Sequence, residues 1–213
     1  MKKAVDYTLY LVTNRELMSS KTIEKSVKDA IKGGCTIVQL REKDISSKEF
    51  YDIAKSLRKI TKKHKVPFII NDRVDIALAV NADGIHVGQS DLSLKNVRKL
   101  IGKDKIIGVS CGNLEEAKKA YKNGADYLGV GAIFPTNTKK DAKDVGIDGL
   151  KEIINNIPLP IVAIGGINKE NIEKLRDINL AGVALVSAII SQKDVKNSAK
   201  NIKKIYKNKI KKG

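Results

Sequence analysis

The 213-residue chain carries 42% apolar and 31% charged residues, the balance of a folded domain with a sizeable core rather than a disordered or fibrous chain. Its formal net charge is +17, yet aromatic residues make up only 4% and Lys far outnumbers Arg, which argues against a nucleic-acid reader built on Arg forks and stacking rings. No run approaches the ~20 apolar residues of a membrane span, Asp6 and Tyr7 interrupt what would be an export-signal core, and two cysteines make no disulfide framework, so a cytoplasmic protein is expected.

Taken in order, strand-like runs rich in Val, Ile or Leu occur at Tyr7–Thr13, Thr36–Glu42, Phe68–Asp72, Gly84–Gly88, Ile106–Ser110, Tyr127–Ala132, Ile161–Gly165 and Val183–Ser187. Most are continuously apolar, the pattern of strands buried on both faces. Helical stripes fall between them: Phe50, Ile53, Ala54, Leu57 and Ile60 share one face, preceded by Ser46 and Glu49 at capping-box spacing. Asn113 and Glu116 look like a similar helix start, and Gly33-Gly34 and Asn123-Gly124 like helix ends. Leu150, Ile153, Ile154 and Ile157 form another stripe, and Val195, Ala199, Ile202 and Tyr206 the last. Strict alternation also fits a doubly wound open sheet, but eight units with no second domain favour a closed (β/α)8 TIM barrel, residues 1–213 as a single domain. From Ser191 to Gly213 nine lysines face one aspartate, so the expected C-terminal helix 193–212 is read as a solvated basic surface. The irregular stretch Ile133–Gly146 is long enough to be an active-site lid.

In such a barrel the active site lies at the C-terminal ends of the strands. Here those ends deliver Gln39-Leu40-Arg41-Glu42-Lys43, Asn71-Asp72, His86 through Asp91, Ser110, Thr136-Asn137-Thr138-Lys139, Gly165-Gly166 and Val186-Ser187. Asp72 and Asp91 come from adjacent strands and offer two hard carboxylates without His or Cys, a set that fits magnesium better than zinc. Arg41, Lys43 and Lys139 aim cations at the same mouth, the chemistry of a polyphosphate substrate. Gly165 and Gly166 let backbone N–H groups approach a phosphate, and the loops after strands seven and eight are the recurrent phosphate site of this fold. Two anionic sites follow: a diphosphate with metal near strands two to four, and a monophosphate near strands seven and eight. Taken singly, Asn71-Asp72 and Asp91 could equally cap the helices after them, and His86 reads as a packed or supporting residue. No Ser/His/Asp or Cys/His triad is evident.

These motifs, in this order and spacing, resemble the thiamine-phosphate synthase (thiamine-phosphate pyrophosphorylase) family. The resemblance runs from Tyr10-Leu11-Val12-Thr13 to about Ile189 and includes Ile133-Phe134-Pro135-Thr136-Asn137-Thr138-Lys139 and Ala163-Ile164-Gly165-Gly166-Ile167. It implies a magnesium-dependent transferase of small-molecule substrates that joins hydroxymethylpyrimidine diphosphate to hydroxyethylthiazole phosphate, releasing pyrophosphate. By the same resemblance, Gln39, Leu40, Arg41, Glu42, Lys43, Asn71, Ser110 and Lys139 would bind the pyrimidine diphosphate, with Arg41, Lys43 and Lys139 as the catalytic cations. Asp72 and Asp91 would bind magnesium, and Thr136, Asn137, Thr138, Gly165, Gly166, Val186 and Ser187 would hold the thiazole phosphate. Gly131-Ala132 stands where the family often has Gly-Pro. The alternatives are a thiazole tautomerase of the same fold, which needs no diphosphate or metal, and a basic nucleic-acid-binding protein.

Overall fold

The computed structural model describes residues 4–136, 138 and 144–210, with side chains through residue 207. Eight parallel strands close into a ring: β1 (Leu9–Val12), β2 (Ile37–Leu40), β3 (Phe68–Asn71), β4 (Gly84–Val87), β5 (Ile106–Cys111), β6 (Tyr127–Val130), β7 (Ile161–Ile164) and β8 (Gly182–Leu185). Each expected run coincides with one of them, most trimmed at the ends, while β5 runs one residue further, to Cys111, and β8 starts one residue earlier, at Gly182. Closure is made by β8 on β1, with Leu9 opposite Val183 and Leu11 opposite Leu185. The open-sheet alternative is thereby excluded.

Helices α1 (Ile23–Gly33), α2 (Ser47–His64), α3 (Val74–Ala79), α4 (Leu94–Ile101), α5 (Leu114–Lys122), α6 (Gly146–Asn156), α7 (Ser187–Ile190) and α8 (Val195–Ile210) ring the barrel. Between β7 and β8 a 3-10 turn, Ile172–Leu175, stands in for a full helix. The expected stripes are buried: Phe50, Ala54, Leu57 and Ile60 on α2, and Val195, Ala199, Ile202 and Tyr206 on α8. Among the described residues no helix is long and apolar enough to cross a membrane.

Side chains alternate along each strand. Leu9, Leu11, Val38, Leu40, Ile70 and Ile85 point outward into a core shared with the helices. Tyr10, Val12, Ile37, Ile69, Ile106, Tyr127, Val162 and Ala184 fill the barrel interior with Tyr7. Gly108 sits opposite Tyr127, and a Cβ there would lie 2.1 Å from the ring Cζ.

The helix starts use local hydrogen bonds, though not always those the spacing suggests. Ser46 caps α2 by accepting from Glu49 N–H at 3.1 Å, but the Glu49 carboxylate reaches out to Arg15 at 2.8 Å instead of returning to the cap. Asn113 caps α5, and Glu116 accepts from Gly112 N–H at 2.7 Å, one residue ahead of the cap. Gly34 ends α1 at φ 109°, the left-handed conformation glycine adopts without strain.

At the N-terminal face of the barrel two aspartates tie helices to strands. Asp83 accepts from Phe68 N–H and from Arg58 of α2, and Asp126 accepts from Ile107 N–H and from Arg98 of α4. Arg98 also donates to the carbonyls of Lys105 at 2.7 Å and Gly102 at 3.1 Å. Removing it strands several acceptors at once, each costing ~1–3 kcal/mol if left without a partner. Arg98→Ala is expected to lower stability by about 2 kcal/mol in denaturant melts, whereas Lys118→Ala, which removes an exposed i,i+3 pair with Glu115, should stay within about 0.5 kcal/mol.

Candidate functional site

A cavity of about 400 Å³ opens at the C-terminal ends of the strands. It is lined by Gln39, Arg41, Lys43, Asn71, Asp72, Asp91, Ser110, Thr136, Thr138, Gly165, Gly166, Val186 and Ser187. The structure thus gathers most of the residues singled out from the sequence. Asn137 and Lys139 lie outside the described residues, as does the rest of the span 139–143 within the expected lid Ile133–Gly146.

The run 39–43 divides by the strand period of two. Gln39, Arg41 and Lys43 line the cavity. Leu40 is fully buried in the outer core, and Glu42 turns away to accept from Arg15 Nε at 2.7 Å. Of the five residues expected to bind the pyrimidine diphosphate, Gln39, Arg41 and Lys43 thus present side chains to the cavity, while the side chains of Leu40 and Glu42 turn away from it. Burial raises the pKa of the Glu42 carboxyl, which the Arg15 contact partly opposes. Glu42 and Glu49 together hold Arg15, fixing the β1–α1 connection beside the mouth.

Neither aspartate is a helix cap. The residue before α3 is Arg73 and the residue before α4 is Ser93, and neither helix has a side-chain cap. Asp72 instead adopts φ 61°, a conformation unusual outside glycine and frequent at functional sites. Its N–H donates to the His86 carbonyl at 2.9 Å, locking the strained turn to β4. Lys43 Nζ donates to Asp72 Oδ2 at 2.7 Å. Asp91 reaches back to accept from Gly88 N–H at 2.7 Å and meets Asp72 carboxyl to carboxyl. Burial raises the Asp91 pKa and contact with Asp72 raises it further, against the Gly88 N–H and Lys43. Two partly buried carboxylates held against each other favour a shared cation between them. Among the described residues no group of three or more His, Cys, Asp or Glu side chains comes together. A cation here would therefore complete its shell with oxygens from substrate or water, the habit of magnesium.

β7 lies four strands from β3 in the eight-strand ring, so Gly165 and Gly166 sit opposite Asp72. Both have left-handed φ, 98° and 67°, and a Cβ on Gly166 would come within 2.5 Å of the Phe134 carbonyl. Glycine is required there for both reasons, and the bare backbone is open to an anion. The Asn171 amide donates to the Gly166 carbonyl at 2.9 Å and steadies the turn.

Some lining residues were not legible as site residues. Tyr10 and Tyr127 look like ordinary strand apolars in sequence, and only barrel closure brings their hydroxyls to the cavity floor. His86, read as a supporting residue, is 8% exposed and bonded to Tyr127 and Ser110. Gln89 donates to the Ser110 carbonyl at 2.7 Å, joining the β4 and β5 loops. Cys111 also lines the cavity, but burial pushes its thiol up to about 12, so it is no thiolate nucleophile at neutral pH.

The family model described as thiamine monophosphate synthase matches residues 9–189. Thiamine-phosphate synthase of Ruminiclostridium cellulolyticum is 58% identical over 98% of this chain and 100% of its own length. That of Clostridium tetani is 57% identical over 94% of this chain and 96% of its own. Among solved structures, thiamine phosphate pyrophosphorylase from Pyrococcus furiosus superposes with a TM-score of 0.88 at 40% identity, covering 95% of this chain and 96% of that one. The chain belongs to the thiamine monophosphate synthase family.

Proposed function

We propose that the barrel mouth joins hydroxymethylpyrimidine diphosphate to hydroxyethylthiazole phosphate, forming thiamine phosphate and pyrophosphate. The observation that carries this reading is the meeting of Asp72 and Asp91 beside Lys43 on one rim of the cavity, with the Gly165-Gly166 backbone opposite. That arrangement suits one ligand rich in phosphate charge with a cation, and a second, singly phosphorylated ligand facing it. The relatives named above carry the synthase name, and neither the tautomerase nor the nucleic-acid reading finds support among them.

Asp72 and Asp91 would hold magnesium, which when bound offsets charge on the diphosphate. Arg41 and Lys43 supply fixed positive charge at the same place, and Lys139 joins them by resemblance. Their task is to stabilise the leaving diphosphate as the pyrimidine CH2–O bond breaks and its electron pair departs with oxygen. The benzylic-type cation left behind is stabilised by its electron-rich aminopyrimidine ring. The thiazole nitrogen then donates its lone pair to that carbon. Thr136, Thr138, Gly165, Gly166, Val186 and Ser187 would hold the thiazole phosphate so that the nitrogen is within reach, and Asn137 joins them by resemblance. Exclusion of water by the two bound partners would keep it from capturing the cation. A cytoplasmic setting accords with the free, buried thiols Cys35 and Cys111.

Mixing the two substrates, magnesium and protein should yield thiamine phosphate and an equal amount of pyrophosphate. Excess chelator should abolish turnover and added magnesium restore it; undiminished turnover in chelator would refute the metal assignment. Asp72→Ala and Lys139→Ala should each lower kcat/KM by about a hundredfold, the usual loss on removing a preorganised electrostatic partner. Their melting temperatures should stay close to that of the parent protein, and a collapse in either would mark that residue as structural.

A further inference from the structure

The floor of the cavity is one continuous line of hydrogen bonds. Gln39 Nε2 donates to Tyr10 Oη at 2.8 Å, and Tyr10 Oη lies 2.8 Å from Tyr127 Oη. Tyr127 Oη lies 2.9 Å from His86 Nδ1, and His86 Nε2 lies 2.9 Å from Ser110 Oγ. The members come from β2, β1, β6, β4 and β5, so the line crosses the barrel. Room for it is left by glycines: a Cβ at Gly129 would sit 3.0 Å from His86 Cε1, and one at Gly108 would collide with Tyr127.

The line has a direction. Tyr10 and Tyr127 are each 1% exposed, and burial raises both phenol pKa values, so both hydroxyls keep their single proton. An amide nitrogen can only donate. Because Gln39 donates into Tyr10, the Tyr10 proton must go on to Tyr127, and the Tyr127 proton on to His86 Nδ1. His86 is then neutral with its proton on Nε2, and it donates to Ser110. Reversal would point two donors at Tyr10 and strand its own proton in the barrel core, where an unsatisfied polar group is costly. Ser110 Oγ, having accepted from His86, has its proton left to give, and the residue faces the cavity.

We propose that Tyr127 and His86 are positioning residues that carry the direction set by the Gln39 amide across the barrel, so that Ser110 presents a proton to an acceptor ring nitrogen of the bound pyrimidine. The proposal rests on the synthase reading for its ligand, but the direction of the line can be tested without any ligand. The device selects a heteroaromatic ring with an unprotonated nitrogen at that point and disfavours one offering N–H, since two donors would then oppose each other.

The chain has two histidines, and the other, His64, ends α2. Nitrogen-15 NMR of the histidine-labelled, ligand-free protein is expected to show His86 as the neutral tautomer with the proton on Nε2. Tyr127→Phe, which keeps the ring and deletes the donor to Nδ1, should turn this into a mixture of tautomers. Should that variant fold poorly, Gln39→Glu replaces the donor into Tyr10 by an acceptor and should reverse the line, moving the His86 proton to Nδ1. A proton on Nδ1 in the parent protein, or an unchanged tautomer in a folded variant, overturns the proposal. In turnover, Tyr127→Phe should lower kcat/KM for the pyrimidine diphosphate about tenfold, the worth of one well-placed hydrogen bond. Tyr7→Phe, on a ring tilted against Tyr127 at 4.9 Å but outside the line, should not change it. Adding Tyr127→Phe to Ser110→Ala should cost nothing beyond Ser110→Ala alone, because both remove one interaction; losses that multiply would overturn the positioning role. If the parent protein makes no thiamine phosphate, the synthase reading fails separately, and the NMR result still decides which way the line runs.

Discussion

Pairing of β8 with β1 is the constraint on which the rest depends. Until that seam closes, the strand ends are scattered points on an open edge. Closure turns them into a rim, setting Asp72 and Asp91, already neighbours through β3–β4 pairing, across from Gly165 and Gly166. It also removes the exposed edges that parallel strands would otherwise present. The register of the seam, Tyr10 level with Ala184, places a large ring against a small side chain in the same interior layer.

The interior divides along its axis by chemistry. Toward the N-terminal face, Tyr7, Ile37 and Ile106 make it a packed apolar plug. Toward the C-terminal face, β2, β4 and β5 present Gln39, His86 and Ser110. Polar groups that deep are tolerated because they bond to one another, as the line from Gln39 to Ser110 shows. The plug gives the floor rigidity, and the floor in turn holds side chains that a surface loop would leave free to rotate. On the rim, backbone strain at Asp72 is held by its hydrogen bond to the His86 carbonyl, so the carboxylate is aimed by the strand next to it rather than by its own loop.

How far the sequence could be read depended on whether a property was local. The strands were legible because burial on both faces leaves apolar runs, and α2 and α8 because their stripes repeat at the helical period. Asp72, Asp91, Gly165 and Gly166 were legible because strand ends are marked by an abrupt change from apolar to polar residues. Which side chains of the 39–43 run reach the cavity was not legible: a motif records neighbours along the chain, whereas the pleat sends alternate neighbours, here Leu40 and Glu42, to the opposite face. Glu49 likewise had the spacing of a capping box, but a stronger partner, Arg15, drew its carboxylate away.

The sequence by itself determined the fold class, the rim and the family, since periodicity, strand ends and motif order are all properties of a linear pattern. Only the tertiary structure decided that Tyr10, Tyr127 and His86 form one line with Gln39 and Ser110. Tyr10 and Tyr127 are 117 residues apart, yet their hydroxyls lie 2.8 Å from each other. Nothing in either local sequence distinguishes a phenol buried for its ring from one buried for its proton; that difference arises only when the closed barrel supplies the partner.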